Sequence, residues 1–231
     1  MFGEIRNSQG ERLEYDYLPG AEGDLRLVVL GHGVTGNKDR PVVAGLAEAL
    51  RSAGIASLKF SFAGNGGSEG NFTECTVTKE IDDLGAVLDA VSKDGRVIAY
   101  GGHSMGGAVG VSRASKDDRI KTLISLAGMV DCHKFAQTEF GKETPDSGLM
   151  WEDEGCPLSS TYMNDMKAIG SIVDLGRRIK VPWLLVHGTE DDVVLIQDSI
   201  DIEAKATCPH KFVTIEGSVT AVPLMTAFMC F

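Results

Sequence analysis

The stretch with the clearest chemical content in this 231-residue sequence is Gly102-His103-Ser104-Met105-Gly106, a G-x-S-x-G pattern. Glycines on both sides of a serine permit the sharp strand-to-helix turn that lifts a hydroxyl out of a sheet. The spacing alone is also that of an ordinary glycine-rich turn; here it lies between an apolar run at 96–100 and a helical pattern at 109–114. Ser104 is therefore the candidate nucleophile. A serine attacks an acyl carbon only if a histidine takes its proton and an acid orients that histidine. His187-Gly188-Thr189-Glu190-Asp191 follows an apolar run at 181–186, so Asp191 falls just past a strand's carboxyl end, where sites in such sheets form. It is taken as the acid by the chain order of such triads. Asp192 could exchange roles with it, and a turn or helix-capping acid is the plainer reading. An oxyanion site needs two backbone N–H donors: Met105, just after the serine, is the first. Gly31-His32-Gly33-Val34-Thr35-Gly36 follows another apolar run and offers Val34 as the second, against the plainer reading of a flexible turn. His32, His103 and His187 read as structural histidines bonding nearby backbone.

The elements that would hold these residues alternate between short apolar runs and longer amphipathic stretches, the pattern of a mostly parallel sheet with crossover helices. Residues 5–17 read as an opening hairpin turning at Gln9-Gly10. Strands are expected at 25–30, 56–62, 96–100, 120–126, 181–186 and 211–215. Pro41 opens a helix that Gly54 stops. A second helix at 78–91 places Ile81, Leu84, Val87, Leu88 and Val91 on one face. Between Gly128 and Gly170 the pattern fails over a span too long for an ordinary connection, and about 129–170 reads as an inserted lid.

One domain over residues 1–231 suits this length, with 43% hydrophobic and 24% charged residues giving no disorder signal. A net charge of −11 argues against nucleic acid and anionic lipid as partners. The first residues lack the apolar run of a secretory signal, and nothing reads as a membrane span. Cys75, Cys132, Cys156, Cys208 and Cys230 are scattered and odd in number, which fits free thiols in a reducing, cytoplasmic setting. They show no metal-ligand grouping, and the chemistry calls for no metal and no cofactor.

Taken together, the 31–38 loop, Gly64-Asn65-Gly66-Gly67-Ser68-Glu69-Gly70, the 102–107 elbow, the insert and the 187–191 segment resemble the serine α/β-hydrolases, most closely the bacterial cinnamoyl and feruloyl esterase type. The resemblance covers most of the chain. It implies an α/β-hydrolase fold, a mostly parallel central sheet flanked by helices with an inserted lid. It also implies hydrolysis of small-molecule carboxylic esters, hydroxycinnamoyl esters among them, through an acyl-serine. Tyr162, Met150 and Trp151 would line the acyl pocket or simply pack the insert. Thioesterases and serine peptidases share these motifs. The family's catalytic histidine follows the last strand, commonly as Gly-x-Asp-His; this chain reads Gly217-Ser218-Val219-Thr220, and no histidine follows His210. His210 precedes the last strand and is expected at the opposite end of the sheet. One inserted A turns GTC-ACN into GAT-CAC, which encodes Asp-His. A frameshift near Val219, with an aberrant, apolar and aggregation-prone tail at 219–231, is one explanation. Natural loss of the histidine in a non-catalytic binding protein of the same fold is the other. Either way the chain as written is expected to be nearly inactive.

Overall fold

The computed structural model describes residues 2–219; the expectations for Thr220 to Phe231, Cys230 included, lie outside them. The opening segment forms a two-residue-per-arm hairpin, β1 (Ile5–Arg6) with β2 (Arg12–Leu13). It does not run on to Tyr17 as one hairpin. Glu14 breaks it, its backbone bonding Ser61 and Ser68, and β3 (Tyr15–Leu18) instead joins the main sheet, antiparallel to a later strand. β4 (Arg26–Gly31) is apolar and buried along nearly all its length, as a strand covered on both faces must be. α1 (Pro41–Ser52) starts on proline, whose missing N–H costs nothing in a first turn, and buries Val43, Leu46, Ala47 and Leu50. β5 (Ala56–Phe60) completes the first crossover. α2 (Val77–Val91) is capped by the Thr76 hydroxyl and buries Leu84, Val87, Leu88 and Val91; each such side chain contributes about 1.5–3 kcal/mol.

β6 (Val97–His103) runs three residues past the apolar stretch, and α3 (Met105–Ala114) begins directly after Ser104. Sequence patterning underestimates both because the glycines at 101, 102, 106 and 107 carry no hydrophobic signal. β7 (Ile120–Leu126) follows. The stretch read as patternless then holds two helices, α4 (Cys132–Phe140) and α5 (Ser160–Ile169), capped by the Asp131 and Ser159 side chains. β8 (Trp183–Gly188), α6 (Ile196–Glu203) and β9 (His210–Ile215) end the fold. The seven main strands lie in the order β3-β5-β4-β6-β7-β8-β9, parallel except for β3. His210 opens β9 in register with Trp183, at the strands' amino ends and away from Ser104.

One core face gathers α2, α3 and the insert; the other gathers α1 over Val28, Leu30, Ile124, Leu126 and Val186. Tyr162 and Met150 belong to the first core, each 3% exposed, so they pack the insert against the body. Trp151 is 45% exposed and rests edge-on against Phe135 and Phe140. At the contact of α2 with α5, both oxygens of the buried Glu80 and the Tyr162 hydroxyl lack hydrogen-bond partners among the described residues. Burial, with Asp83 and Asp165 nearby, lifts the Glu80 carboxyl well above its ordinary 4.5. Above that ordinary value the unfolded chain releases the proton while the fold keeps it, so stability falls as pH rises, at up to about 1.4 kcal/mol per unit. Glu80→Gln is expected to flatten this slope; urea melts at pH 5 and pH 8 measure it.

Candidate active site

Strand register brings the chemistry to one edge of the sheet. Gly31 at the end of β4 pairs with Gly102 of β6, so the glycine loop and the serine turn leave the sheet side by side. His103 pairs with Leu126 of β7, and Leu126 with Val186 of β8, so the Asp191 loop emerges two strands over.

Ser104 sits at φ 51°, ψ −117°, between β6 and α3. A non-glycine residue there stores about 1–3 kcal/mol of strain and persists only where its surroundings hold it. Its N–H donates to Leu126 O (3.0 Å), and its carbonyl accepts from Gly107 N (2.8 Å) and Met129 N (3.0 Å). The Tyr100 hydroxyl donates to Gly106 O at 3.0 Å from below. A Cβ on Gly106 would stand 2.6 Å from His32 O, and one on Gly33 would stand 3.0 Å from the Ser104 Cβ. Only glycines let the two turns approach this closely.

Met105 is the first residue of α3, so its N–H is one of the four helix donors without an intrahelical acceptor. Val34 and Thr35 form the tip of a turn closed by Gly36 N to Gly33 O at 3.0 Å, with Thr35 at φ 55°. Lys38 braces this loop: its N–H donates to Ser61 Oγ, and its buried ammonium bonds Asp16 and Asp39, each at 2.9 Å. Nothing in the sequence pattern singled out that brace.

Asp191 is 5% exposed. Its Oδ1 accepts from Val193 N (3.1 Å) and Val194 N (2.9 Å), whereas its buried Oδ2 has no hydrogen-bond partner among the described residues. Asp192 next to it is exposed. All five histidines of the chain fall among the described residues. His32 donates from Nδ1 to Gly33 O and accepts from Phe62 N at Nε2, and burial pushes it down to about 4. His187 donates from Nε2 to Val194 O (2.7 Å) and accepts from Ser199 Oγ (2.8 Å); its Nε2 is 3.7 Å from Asp191 Oδ2. His32 is neutral, and both histidines bond nearby backbone as expected of them. His103 is also neutral, pushed down to about 4 by burial, but its Nε2 is unpartnered, so its structural role includes no hydrogen bond at that atom. Asp198 was missed in the sequence: its Oδ2 accepts from Val130 N (2.7 Å) and Asp131 N (3.2 Å), anchoring the start of the insert to α6.

The segment after β9 is tied to the acid loop. Glu190 N donates to Ser218 O (3.0 Å), Thr189 N to Ile215 O (3.1 Å), and Gly217 N to the Thr189 hydroxyl (2.9 Å). Ser218 thus lies beside the residue preceding Asp191.

A seven-stranded, mostly parallel sheet with helices on both faces and a strained serine turn at its carboxyl edge defines an α/β-hydrolase. Residues 24–145, over half of the chain, match the Hydrolase_4 model, described as serine aminopeptidase, S33, and the chain belongs to that family. Among curated relatives, the mitochondrial palmitoyl-protein thioesterase ABHD10 of Bos taurus is 25% identical over 183 residues, 74% of this chain and 58% of that protein. The Mus musculus counterpart is 24% identical over 188 residues, 77% of this chain and 62% of its own length. The chain thus spans less than two thirds of these relatives. Among solved structures, Est1E from Butyrivibrio proteoclasticus with bound ferulic acid superposes with a TM-score of 0.81 at 25% identity, covering 97% of this chain and 94% of that one. The mouse ABHD10 structure superposes with a TM-score of 0.75 at 20% identity, over 94% and 90% of the two chains.

Proposed function

We propose that this site performs acyl transfer from carboxylic esters, with Ser104 as nucleophile, Asp191 as the acid, and the Val34 and Met105 N–H groups as oxyanion donors. The observation that carries this reading is the strained Ser104 backbone, held by three hydrogen bonds at the mouth of the sheet, for which a mere structural turn has no need. In the reaction the Ser104 oxygen bonds to the acyl carbon and its proton passes to a base. The negative oxygen is then stabilised by the two N–H groups until the ester C–O bond breaks and the departing oxygen takes the proton from the base, leaving an acyl-Ser104 that water hydrolyses. Residues 129–170 act as the lid over the acyl group, within a single domain. Hydroxycinnamoyl esters are the preferred substrates, a reading supported by Est1E with its bound ferulic acid; long-chain thioesters are supported by the ABHD10 relatives. Cytoplasmic location rests on the buried free thiols Cys75, Cys132, Cys156 and Cys208.

A second reading, a binding protein that keeps the fold without the chemistry, draws on one observation: no histidine bonds the free Oδ2 of Asp191 among the described residues. Covalent capture of an acyl or phosphoryl group by Ser104 separates the two.

A further inference from the structure

Arg40 closes the loop that opens at Gly31. Its N–H donates to Asn37 O (3.2 Å) and its carbonyl accepts from Ala44 N (2.9 Å), which fixes its backbone as the residue before α1. The side chain folds back over the loop, and Nη2 donates to Thr35 O at 3.0 Å, one residue from Val34. A guanidinium carries five donors, so this bond leaves most of them unspent. The side chain is exposed, and no carboxylate lies within salt-bridge distance of it among the described residues. That contrasts with Lys38 and Lys59 on the same side of the fold, both locked to Asp16 and Asp39.

Three groups on three different elements feel the Arg40 charge: His32 in the glycine loop, His103 beside Ser104, and Cys156 in the insert. The bond of Arg40 to Thr35 O places it next to Val34, in the loop whose Gly33 approaches Ser104, on the oxyanion side of the serine turn. At His103, the residue before the candidate nucleophile, its effect opposes that of the buried Asp191. In a chain of net charge −11, Arg40 is an exposed cation beside the proposed oxyanion loop with no carboxylate in salt-bridge distance among the described residues.

We propose that Arg40 is a specificity-determining residue that selects esters bearing an anionic group, a carboxylate or a phosphate, by a charge-assisted hydrogen bond from its free guanidinium edge. The inference rests on Ser104 marking the reacting end of the site, but binding is its readout, so the two fail separately.

Dissociation constants are measured by ligand-detected NMR for methyl butyrate, monomethyl glutarate and 2-acetoxyethyl phosphate, on the wild type, Arg40→Gln and Arg40→Lys, at low salt and in 1 M NaCl. The wild type is expected to bind at least one anionic ester about tenfold more tightly than the neutral one, as a charge-assisted bond allows. The monomethyl glutarate and phosphate arms show which anion is preferred. That preference should vanish in Arg40→Gln, persist in part in Arg40→Lys, and shrink in high salt because the site is open to screening. Affinity for methyl butyrate should be the same in all three proteins. Equal binding of the three esters by the wild type overturns the proposal, as does a preference that survives Arg40→Gln. Should Arg40→Gln fail to fold, the wild-type comparison and its salt dependence decide the question alone. Anion preference in a protein whose Ser104 is not trapped by an organophosphate even with added imidazole would instead refute the hydrolase reading and leave Arg40 as part of a binding site.

Discussion

Placing aspartate and histidine at positions 219 and 220 is expected to raise ester turnover by on the order of 10⁴ or more over the chain as written. Loss of a triad histidine costs about 10⁴–10⁶ in turnover, leaving only what oxyanion donors and binding supply. The receiving geometry is already built. Ser218 O is bonded to Glu190 N, one residue before Asp191, so the two substitutions directly follow a segment tied to the acid loop. Asp191 Oδ2 is buried and has no hydrogen-bond partner among the described residues, and it would accept from an imidazole Nδ1–H while Nε2 takes the Ser104 proton. The Val219→Asp, Thr220→His variant and the parent are compared on 4-nitrophenyl acetate, per folded molecule. Turnover within about tenfold, only about 1.4 kcal/mol of barrier, would mean that another residue is the base. His103, with its unpartnered Nε2 beside Ser104, would then be the first candidate.

Within that restored variant, Asp191→Asn is expected to cost about 10⁴ in turnover with little change in KM. The amide is nearly isosteric and retains an oxygen for the Val193 and Val194 N–H groups that now bond Oδ1. What it loses is the acceptor for the histidine. An amide nitrogen in place of Oδ2 donates to the imidazole, favours the wrong tautomer and leaves Nε2 without its lone pair. Asp192→Asn should have no comparable effect, because Asp192 is exposed whereas Asp191 is buried on the loop after β8. An equal loss in both variants would mean that general charge near the site, rather than orientation of one imidazole, carries the effect.

The parts of this fold that were legible in the sequence share a cause. β4 and β8 are buried on both faces and read as near-continuous apolar runs; α1 and α2 bury one stripe each and read as amphipathic. The serine turn was legible because its glycines are imposed by contact, with His32 O pressing on Gly106. Legibility failed where the signal was not hydrophobic. The last residues of β6 are glycines, and α4 and α5 announce themselves mainly through the capping residues Asp131 and Ser159 inside a mixed segment. Lys38 acts through Asp16 and Ser61, 22 and 23 positions away in the chain, and Asp198 through Val130, 68 positions away. Arg40 matters for a partner it lacks. Such long-range polar relations leave no periodicity, so only the assembled structure reveals them.

The central claim is that Ser104 is a nucleophile in a preformed acyl-transfer site, and covalent trapping tests it most directly. The protein is incubated with diethyl 4-nitrophenyl phosphate, with and without free imidazole, and followed by intact mass and peptide mapping. One diethylphosphoryl group on Ser104, formed faster with imidazole and absent in Ser104→Ala, is the predicted result. Modification scattered over other residues, or an adduct that forms equally well in Ser104→Ala, would contradict it.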